Sequence, residues 1–173
     1  VDPDLSGGGQ LYDTGSHVLD VLVWLADADP VSVTAQIEYA SPDVDVNSAL
    51  TIEFDRDGHH VIASVAIVGD GTELTPREGY RFWGTEGLVS YADDQLVVHE
   101  QSGASYRTEM AIDADFDALN RRKLGNFVDA IEGRAESAVP GTVGLTITAL
   151  TEAAYRADAT GAEVSVQSVV DSA

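Results

Sequence analysis

Apolar side chains recur every three or four positions in three stretches of the chain, with polar side chains between them. This spacing places the apolar groups on one side of a helix, so it predicts helices at residues 12–26, 115–133 and 142–159. Stop signals follow all three stretches: Asp27-Ala-Asp-Pro30 after the first, Gly133 at the end of the second and Thr160-Gly161 after the third.

Between and after these helices, apolar and polar positions alternate, as in strands. The predicted strands are residues 31–39, 49–55, 60–68, a fourth from about residue 80, 88–91, 95–99, 106–112 and 163–166. Asp57-Gly58 and Asp93-Asp94 indicate hairpins, and the nearly all-apolar stretch 60–68 predicts burial on both faces. The order of elements predicts an α+β fold in a single domain of residues 1–173. Its sheet is predominantly antiparallel and open-faced, with the helices packed on one face.

Composition shows an unusually acidic chain. Of its 173 residues, 30 are Asp or Glu and 9 are Lys or Arg, which gives a formal net charge of −21. Such a charge repels phosphates, so we expect no nucleic acid partner. The carboxylates are dispersed along the chain, and Lys123 is its single lysine. This pattern predicts a protein from a salt-adapted source, because ions at high concentration screen the repulsion between carboxylates.

Other features bear on the compartment. The chain contains no cysteine, which excludes disulfides and thiolate metal sites. Its apolar runs are too short to cross a bilayer, and no signal-peptide pattern opens the sequence. We therefore expect a cytoplasmic protein with no membrane partner. Because the chain starts at Val1 rather than Met, we also expect it to be a piece of a longer protein.

The most informative local pattern is a glycine run, residues 7–9, that leads into the first predicted helix. Asp13 and His17 are four residues apart in this helix and therefore share one face. A carboxylate beside an imidazole favours proton transfer, because imidazole titrates near neutral pH. The alternative is that the glycines form only a turn and that Asp13 complements the helix dipole. Asp20 is interpreted as a structural partner on the helix surface.

No metal site is predicted. Asp13 and His17 have a spacing that could hold a metal, but no third ligand with a recognisable spacing accompanies them. His59 and His60 follow a hairpin turn and His99 ends a strand, so these three histidines carry no metal-binding signal.

Four further motifs follow the glycine run in order along the chain. The complete set is Gly7-Gly-Gly-Gln-Leu-Tyr-Asp13-Thr-Gly15-Ser-His17-Val-Leu-Asp20 with Trp24-Leu25, Phe82-Trp-Gly84-Thr-Glu-Gly87-Leu, Phe127-Val-Asp-Ala-Ile-Glu-Gly133, Gly144 with Glu152-Ala-Ala-Tyr155-Arg-Ala, and Thr160-Gly161-Ala-Glu-Val164-Ser-Val166. Together they resemble the C-terminal domain of the Gfo/Idh/MocA oxidoreductases, and the resemblance covers nearly the whole chain.

The resemblance implies that a second half of the protein is missing. Family members pair an N-terminal Rossmann domain, which binds NAD or NADP, with a C-terminal domain of this kind. Neither the dinucleotide glycine fingerprint nor the family's Glu-Lys-Pro motif occurs in this sequence. No cofactor is therefore expected on this fragment, and the fragment alone is expected to be inactive.

The resemblance also implies a reaction and a set of site residues. The full-length protein would be an NAD(P)-dependent dehydrogenase or reductase acting on a sugar, polyol or related hydroxy or keto compound. His17 matches the general acid/base, and Asp13 matches the carboxylate that orients the substrate or the histidine. Arg77 is a candidate substrate contact, with a solvated loop position as the alternative.

Two questions stay open at this stage. The rival interpretation of function is a non-catalytic sugar-binding or oligomerisation module of the same fold, although retention of both Asp13 and His17 favours the enzyme. The apolar residues 61–68 and the resemblance predict a homodimer or tetramer that associates through the sheet face. The alternative is a polar, wet face with residues 61–68 buried within one subunit.

Overall fold

The computed structural model describes residues 8–69, 79–109 and 116–172. The chain forms two compact units, Val1–Gly71 with Val139–Ala173, and Thr72–Ala138. Each unit contains one four-stranded sheet, and we call these the sheet-A unit and the sheet-B unit in that order.

The helices and strands alternate in blocks along the chain. In order they are α1 (Thr14–Ala26), β1 (Asp29–Ser41), β2 (Val44–Arg56), β3 (His59–Val68), β4 (Gly79–Gly84), β5 (Gly87–Ala92), β6 (Gln95–Glu100), β7 (Ser105–Glu109), α2 (Phe116–Ile131), α3 (Gly141–Thr160), β8 (Val164–Ser165) and α4 (Val166–Val170). Sheet A has the strand order β3-β2-β1-β8, and sheet B has the order β4-β5-β6-β7. All the pairings within these sheets are antiparallel.

The core of the sheet-A unit lies on one face of its sheet. Ile52 and Phe54 in β2 are fully buried, because alternate side chains of a strand point to the same face. Leu150 of α3 and Leu19 of α1 belong to the same buried cluster. Removing an apolar side chain of this size from water contributes about 1.5–3 kcal/mol to the stability of the fold. This burial holds α1, and with it the residues of the glycine motif, against the sheet.

Both predicted hairpins are confirmed. Asp57 and Gly58 have φ angles of 52° and 84°, and Asp93 and Asp94 have φ angles of 50° and 58°. Positive φ at both central residues is the backbone of a two-residue turn whose twist matches that of the flanking strands. The turns therefore fix the β2–β3 and β5–β6 registers.

The α+β class, with antiparallel strands and helices, is confirmed. The strands belong to two sheets, however, because β1, β2, β3 and β8 exchange backbone hydrogen bonds with one another and β4 to β7 do so only among themselves. α4 was not predicted, since five residues are too few to show a helical period. Residues 110–112 of one predicted strand and Asp115 of one predicted helix lie outside the described residues. The single domain of residues 1–173 stays a prediction.

The prediction that residues 60–68 are buried on both faces is wrong within this chain. Ile62 is 72% exposed and Val68 is 64% exposed, whereas Ile67 is 4% exposed. The physical reason is that the helices and the core cover only one face of sheet A, so only the core-facing positions of β3 are covered. Among the described helices, none combines the length and the apolar character that a membrane crossing needs.

Candidate functional site

Residues 8–11, which we call the glycine segment, bond to the start of α1 through backbone hydrogen bonds. The Asp13 N–H donates to the Gly9 carbonyl oxygen at 3.1 Å, and the Gly15 N–H donates to the Gln10 carbonyl oxygen at 2.9 Å. Gly15 itself is buried, and a Cβ there would lie 3.0 Å from side-chain atoms of Ile67 and Leu11. The absence of a side chain at position 15 therefore lets the first turn of α1 approach the core.

Asp13 occupies the N-cap position of α1, because the helix begins at Thr14, two residues later than the sequence predicts. An N-cap aspartate usually accepts a hydrogen bond from the second or third helical N–H. Here the Asp13 side chain makes no such bond, and the Gly15 N–H is already satisfied by Gln10. The Asp13 carboxylate is exposed to solvent and has no partner among the described residues. It is thus free to bind a ligand.

His17 is the fourth residue of α1, at the end of its first turn, and it is also exposed. Its ring makes no hydrogen bond or ion pair with the described residues. Leu19, two positions further on, is fully buried in the core, so packing on one side of α1 presents His17 on the other. The structure brings Asp13 and His17 within one turn at the exposed start of one helix. Their roles in a reaction stay predictions.

The remaining site predictions have different outcomes. Arg77 lies outside the described residues. Asp20 is half-buried on α1. The ring of His60 contacts Glu53 Oε1 at 2.6 Å, and the ring of His99 contacts Ser105 Oγ at 2.9 Å. Within the described part of the chain, no group of three or more His, Asp or Glu residues could hold a metal ion.

Asp45 is the residue of this region that sequence reasoning missed. It is 2% exposed, and its Oδ2 accepts the Leu11 N–H at 2.8 Å while its Oδ1 accepts the Tyr155 hydroxyl at 2.5 Å. Its carbonyl oxygen also accepts the Gln10 N–H at 3.0 Å. Position 45 lies between the predicted strands 31–39 and 49–55, and nothing in the sequence separates Asp45 from the other acidic residues. The tertiary contact with Tyr155 makes it distinctive.

The tyrosine that donates to Asp45, Tyr155, also stacks against a second tyrosine, Tyr12. The rings of Tyr12 and Tyr155 are stacked, with centroids 5.5 Å apart and planes at 21°. Burial, then the hydrogen bond and charge of Asp45, raise the pKa of Tyr155 above its ordinary value. Burial, followed by the charge of Glu152, raises the pKa of Tyr12 as well. Both phenols therefore stay neutral, and the Tyr155 hydroxyl remains a donor to Asp45.

The glycine segment does not fit the pyrophosphate of a dinucleotide. A phosphate-binding loop offers free backbone N–H groups to the ligand. In the described part of this segment, the N–H groups of Gln10 and Leu11 already donate to Asp45. A Cβ at Gly9 would lie 2.2 Å from Asp45 Oδ1, so a carboxylate fills the space beside the loop. A buried negative charge at this point opposes phosphate binding.

The sequence matches a model of the GFO/IDH/MocA C-terminal domain. The match covers residues 1–90, which is just over half of the 173 residues. The fold and this match define the C-terminal domain of an oxidoreductase. The chain belongs to the Gfo/Idh/MocA family. A search of the curated proteins gives no match.

Solved structures of oxidoreductases share this fold. Levoglucosan dehydrogenase, in complex with NADH and levoglucosan, has a TM-score of 0.80 and 18% identity, over 95% of this chain and 52% of that one. Aldose-aldose oxidoreductase from Caulobacter crescentus, complexed with glycerol, has a TM-score of 0.75 and 24% identity, over 95% and 49%.

A third structure is an oxidoreductase from Agrobacterium radiobacter in complex with NAD⁺, L-tartaric acid and magnesium. It has a TM-score of 0.69 and 22% identity, over 91% of this chain and 49% of that one. The chain thus spans about half the length of the solved structures that it matches.

Proposed function

We propose that this chain is the substrate-binding and proton-transfer part of an NAD(P)-dependent oxidoreductase. Its substrate would be a sugar, a polyol or a related hydroxy or keto compound. NAD or NADP would be bound by an N-terminal half, since the described part of the glycine segment has its amides occupied. Levoglucosan, glycerol and L-tartaric acid in the complexes of similar structures support a small polyhydroxylated substrate.

One observation carries this proposal: an exposed histidine follows an N-cap aspartate whose carboxylate makes no capping bond. An aspartate that served only to start the helix would bond to the N–H groups of the first turn. In this structure the Gln10 carbonyl oxygen, rather than the Asp13 side chain, accepts the Gly15 N–H. The Asp13 and His17 side chains are therefore left for solvent or for a substrate.

The chemistry assigned to these residues is confined to the proton. Oxidation of a carbinol to a carbonyl removes a hydride from carbon and a proton from oxygen. The His17 imidazole accepts the hydroxyl proton in this direction and returns it to the carbonyl oxygen in the reverse direction. Asp13 accepts a hydrogen bond from a neighbouring hydroxyl or from the imidazole, and so orients the pair. Arg77 stays a candidate for a further substrate contact.

The test uses the full-length protein with NAD⁺ or NADP⁺ and a panel of levoglucosan, glycerol, L-tartrate and common aldoses. We expect reduction of the nicotinamide with at least one hydroxy compound, and none with residues 1–173 alone. Calorimetric binding of a sugar without turnover by any member of the panel would instead support a non-catalytic sugar-binding module.

We also propose that two copies associate through the open face of sheet A. The register places Thr34, Thr51 and Ser64 in one row across β1, β2 and β3, and Gln36, Ala49 and Ala66 in the next. All six are exposed, and all but Gln36 are small. A face of small side chains lets a second sheet approach closely. Ile62 and Val68 of β3 are exposed as well. Their exposure favours a face that a partner covers over a face that is buried within one subunit.

Light scattering at high salt tests this association. Wild-type protein should be a dimer or tetramer at tens of micromolar, and Ala49→Arg should shift it to monomer by placing charge in the middle of the face. Ala135→Arg, at an exposed position in the sheet-B unit, is the matched control and should leave the mass unchanged. A monomeric wild-type protein would contradict the proposal.

A further inference from the structure

Asp45 lies at a junction of three segments of the sheet-A unit. It belongs to β2, its Oδ2 accepts the Leu11 N–H before α1, and its Oδ1 accepts the Tyr155 hydroxyl of α3. At 2% exposure it is nearly removed from water. A buried carboxylate is tolerated when charge-assisted hydrogen bonds replace its hydration. Asp45 therefore holds its donors firmly, and a neutral substitute would hold them less firmly.

The glycine segment is shaped to receive this carboxylate. A Cβ at Gly9 would lie within 2.4 Å of the Asp45 side chain, amide nitrogen and carbonyl oxygen, so any side chain would push the segment away from β2. The Gln10 N–H adds a second backbone contact, at 3.0 Å from the Asp45 carbonyl oxygen. Residues 9 to 11 are thus attached to β2 by both the main chain and the side chain of one residue.

The anchored segment is in turn bonded to the start of α1. Gly9 and Gln10, which touch Asp45, supply the carbonyl oxygens that accept the N–H groups of Asp13 and Gly15. His17 follows Gly15 by two residues in the same turn region. A continuous set of hydrogen bonds therefore runs from the buried carboxylate to the helix start that presents Asp13 and His17.

We propose that Asp45 is the positioning residue of this site: it fixes the glycine segment on β2 and thereby sets the place of His17. Asp45 touches neither the substrate nor the reacting atoms in this scheme. It acts through Gly9, Gln10 and Leu11. The assignment of a catalytic use to that position rests on the function proposed for His17.

The first test is amide hydrogen exchange in the full chain. Asp45→Asn keeps the shape of the side chain but removes its charge, and we expect the Leu11 N–H to exchange about tenfold faster or more, as expected for loss of a charge-assisted bond. Gly9→Ala should have the same effect through the steric clash with Asp45. The matched controls are Asp43→Asn, an exposed aspartate two residues away, and Gly125→Ala, where a Cβ meets nothing within 4 Å.

The second test reads His17 directly. In a nuclear magnetic resonance spectrum of the same variants, the imidazole Cε1–H signal of His17 should move in Asp45→Asn and stay in place in Asp43→Asn. The signal of His59, in the β2–β3 hairpin, serves as an internal reference. If Asp45→Asn does not fold, Tyr155→Phe removes one donor from the same carboxylate and should move both readouts in the same direction.

The outcomes separate positioning from a purely structural role. Faster exchange at Leu11 together with a displaced His17 signal supports the proposal. Faster exchange with an unmoved His17 signal, or no change in either readout, overturns it. Neither measurement depends on turnover, so a failure of the proposed reaction would be seen separately, as unchanged activity of a His17 variant.

Discussion

Asp13 stands where an aspartate usually stabilises a helix, yet its carboxylate makes no capping bond. We therefore expect Asp13→Ala to change the free energy of unfolding by less than about 0.5 kcal/mol, whereas loss of a working N-cap costs about 1 kcal/mol. Urea unfolding of the two proteins measures the difference. A destabilisation of about 1 kcal/mol or more would mean that the side chain caps α1 in solution.

Asp158 offers a second residue-scale prediction, because it satisfies the free edge of β1. Its Oδ1 accepts the Ile37 N–H at 2.8 Å and its Oδ2 accepts the Tyr39 hydroxyl at 3.2 Å. Burial, then the charge and hydrogen bond of Asp158, raise the pKa of Tyr39 to about 12. A raised folded-state pKa stabilises the protein below the unfolded value of 10.0, and this contribution is lost as the pH rises towards 12.

Asp158→Asn should therefore lower the pKa of Tyr39 towards, but not down to, its ordinary value, because burial remains. An ultraviolet pH titration against Tyr39→Phe isolates this phenol. Glu163→Gln, which neutralises an exposed carboxylate near the end of the same helix, should leave the titration unchanged. An identical Tyr39 titration in Asp158→Asn and wild type would contradict the electrostatic assignment.

Residues with a local signal could be predicted, and those with a tertiary role could not. The sequence predicts Asp13 and His17 as site residues because the glycine run and the helical spacing are neighbours in sequence, and their roles stay predictions. Asp45 was missed because its function in the fold depends on Tyr155, 110 positions away. In a chain with many aspartates, the sequence does not indicate which one will accept a hydrogen bond from a distant helix.

At the scale of elements, α3 is the helix that completes the core of the sheet-A unit. Leu150 of α3 is fully buried in this core, whereas Leu145 of the same helix is 54% exposed. We expect Leu150→Ala to destabilise the protein by about 2–5 kcal/mol through lost burial and a residual cavity. Leu145→Ala is the matched control and should have a much smaller effect. Equal losses in urea unfolding would contradict the position of α3 on the sheet.

The strands and most of the helices could be predicted from the sequence, but the pairing of the strands could not. Alternation and turn residues predict β1 to β8 because these signals act within a few residues. The separation into two sheets depends on which strands exchange backbone hydrogen bonds, and the period of two is the same for either partner. The apolar run in β3 misled for a similar reason, since apolar side chains do not by themselves show which faces of a sheet will be covered.

For the whole molecule, charge is the dominant feature. Arg56, Arg134 and Arg156 form ion pairs with carboxylates, and all three are exposed. Exposed pairs of this kind contribute little, and the net charge of −21 leaves most carboxylates without a counter-charge. We expect the melting temperature to rise as potassium chloride approaches molar concentration, because screening relieves this repulsion. A melting temperature that stays constant or falls would contradict this prediction.

The central claim is that His17 moves the substrate proton, and a pair of alanine variants of the full-length enzyme tests it most directly. His17→Ala should lower turnover by about 10²–10⁴, the usual effect of a lost acid/base. His59→Ala removes an exposed histidine from the β2–β3 hairpin and should leave turnover unchanged. A folded His17→Ala enzyme that retains wild-type turnover would contradict the account.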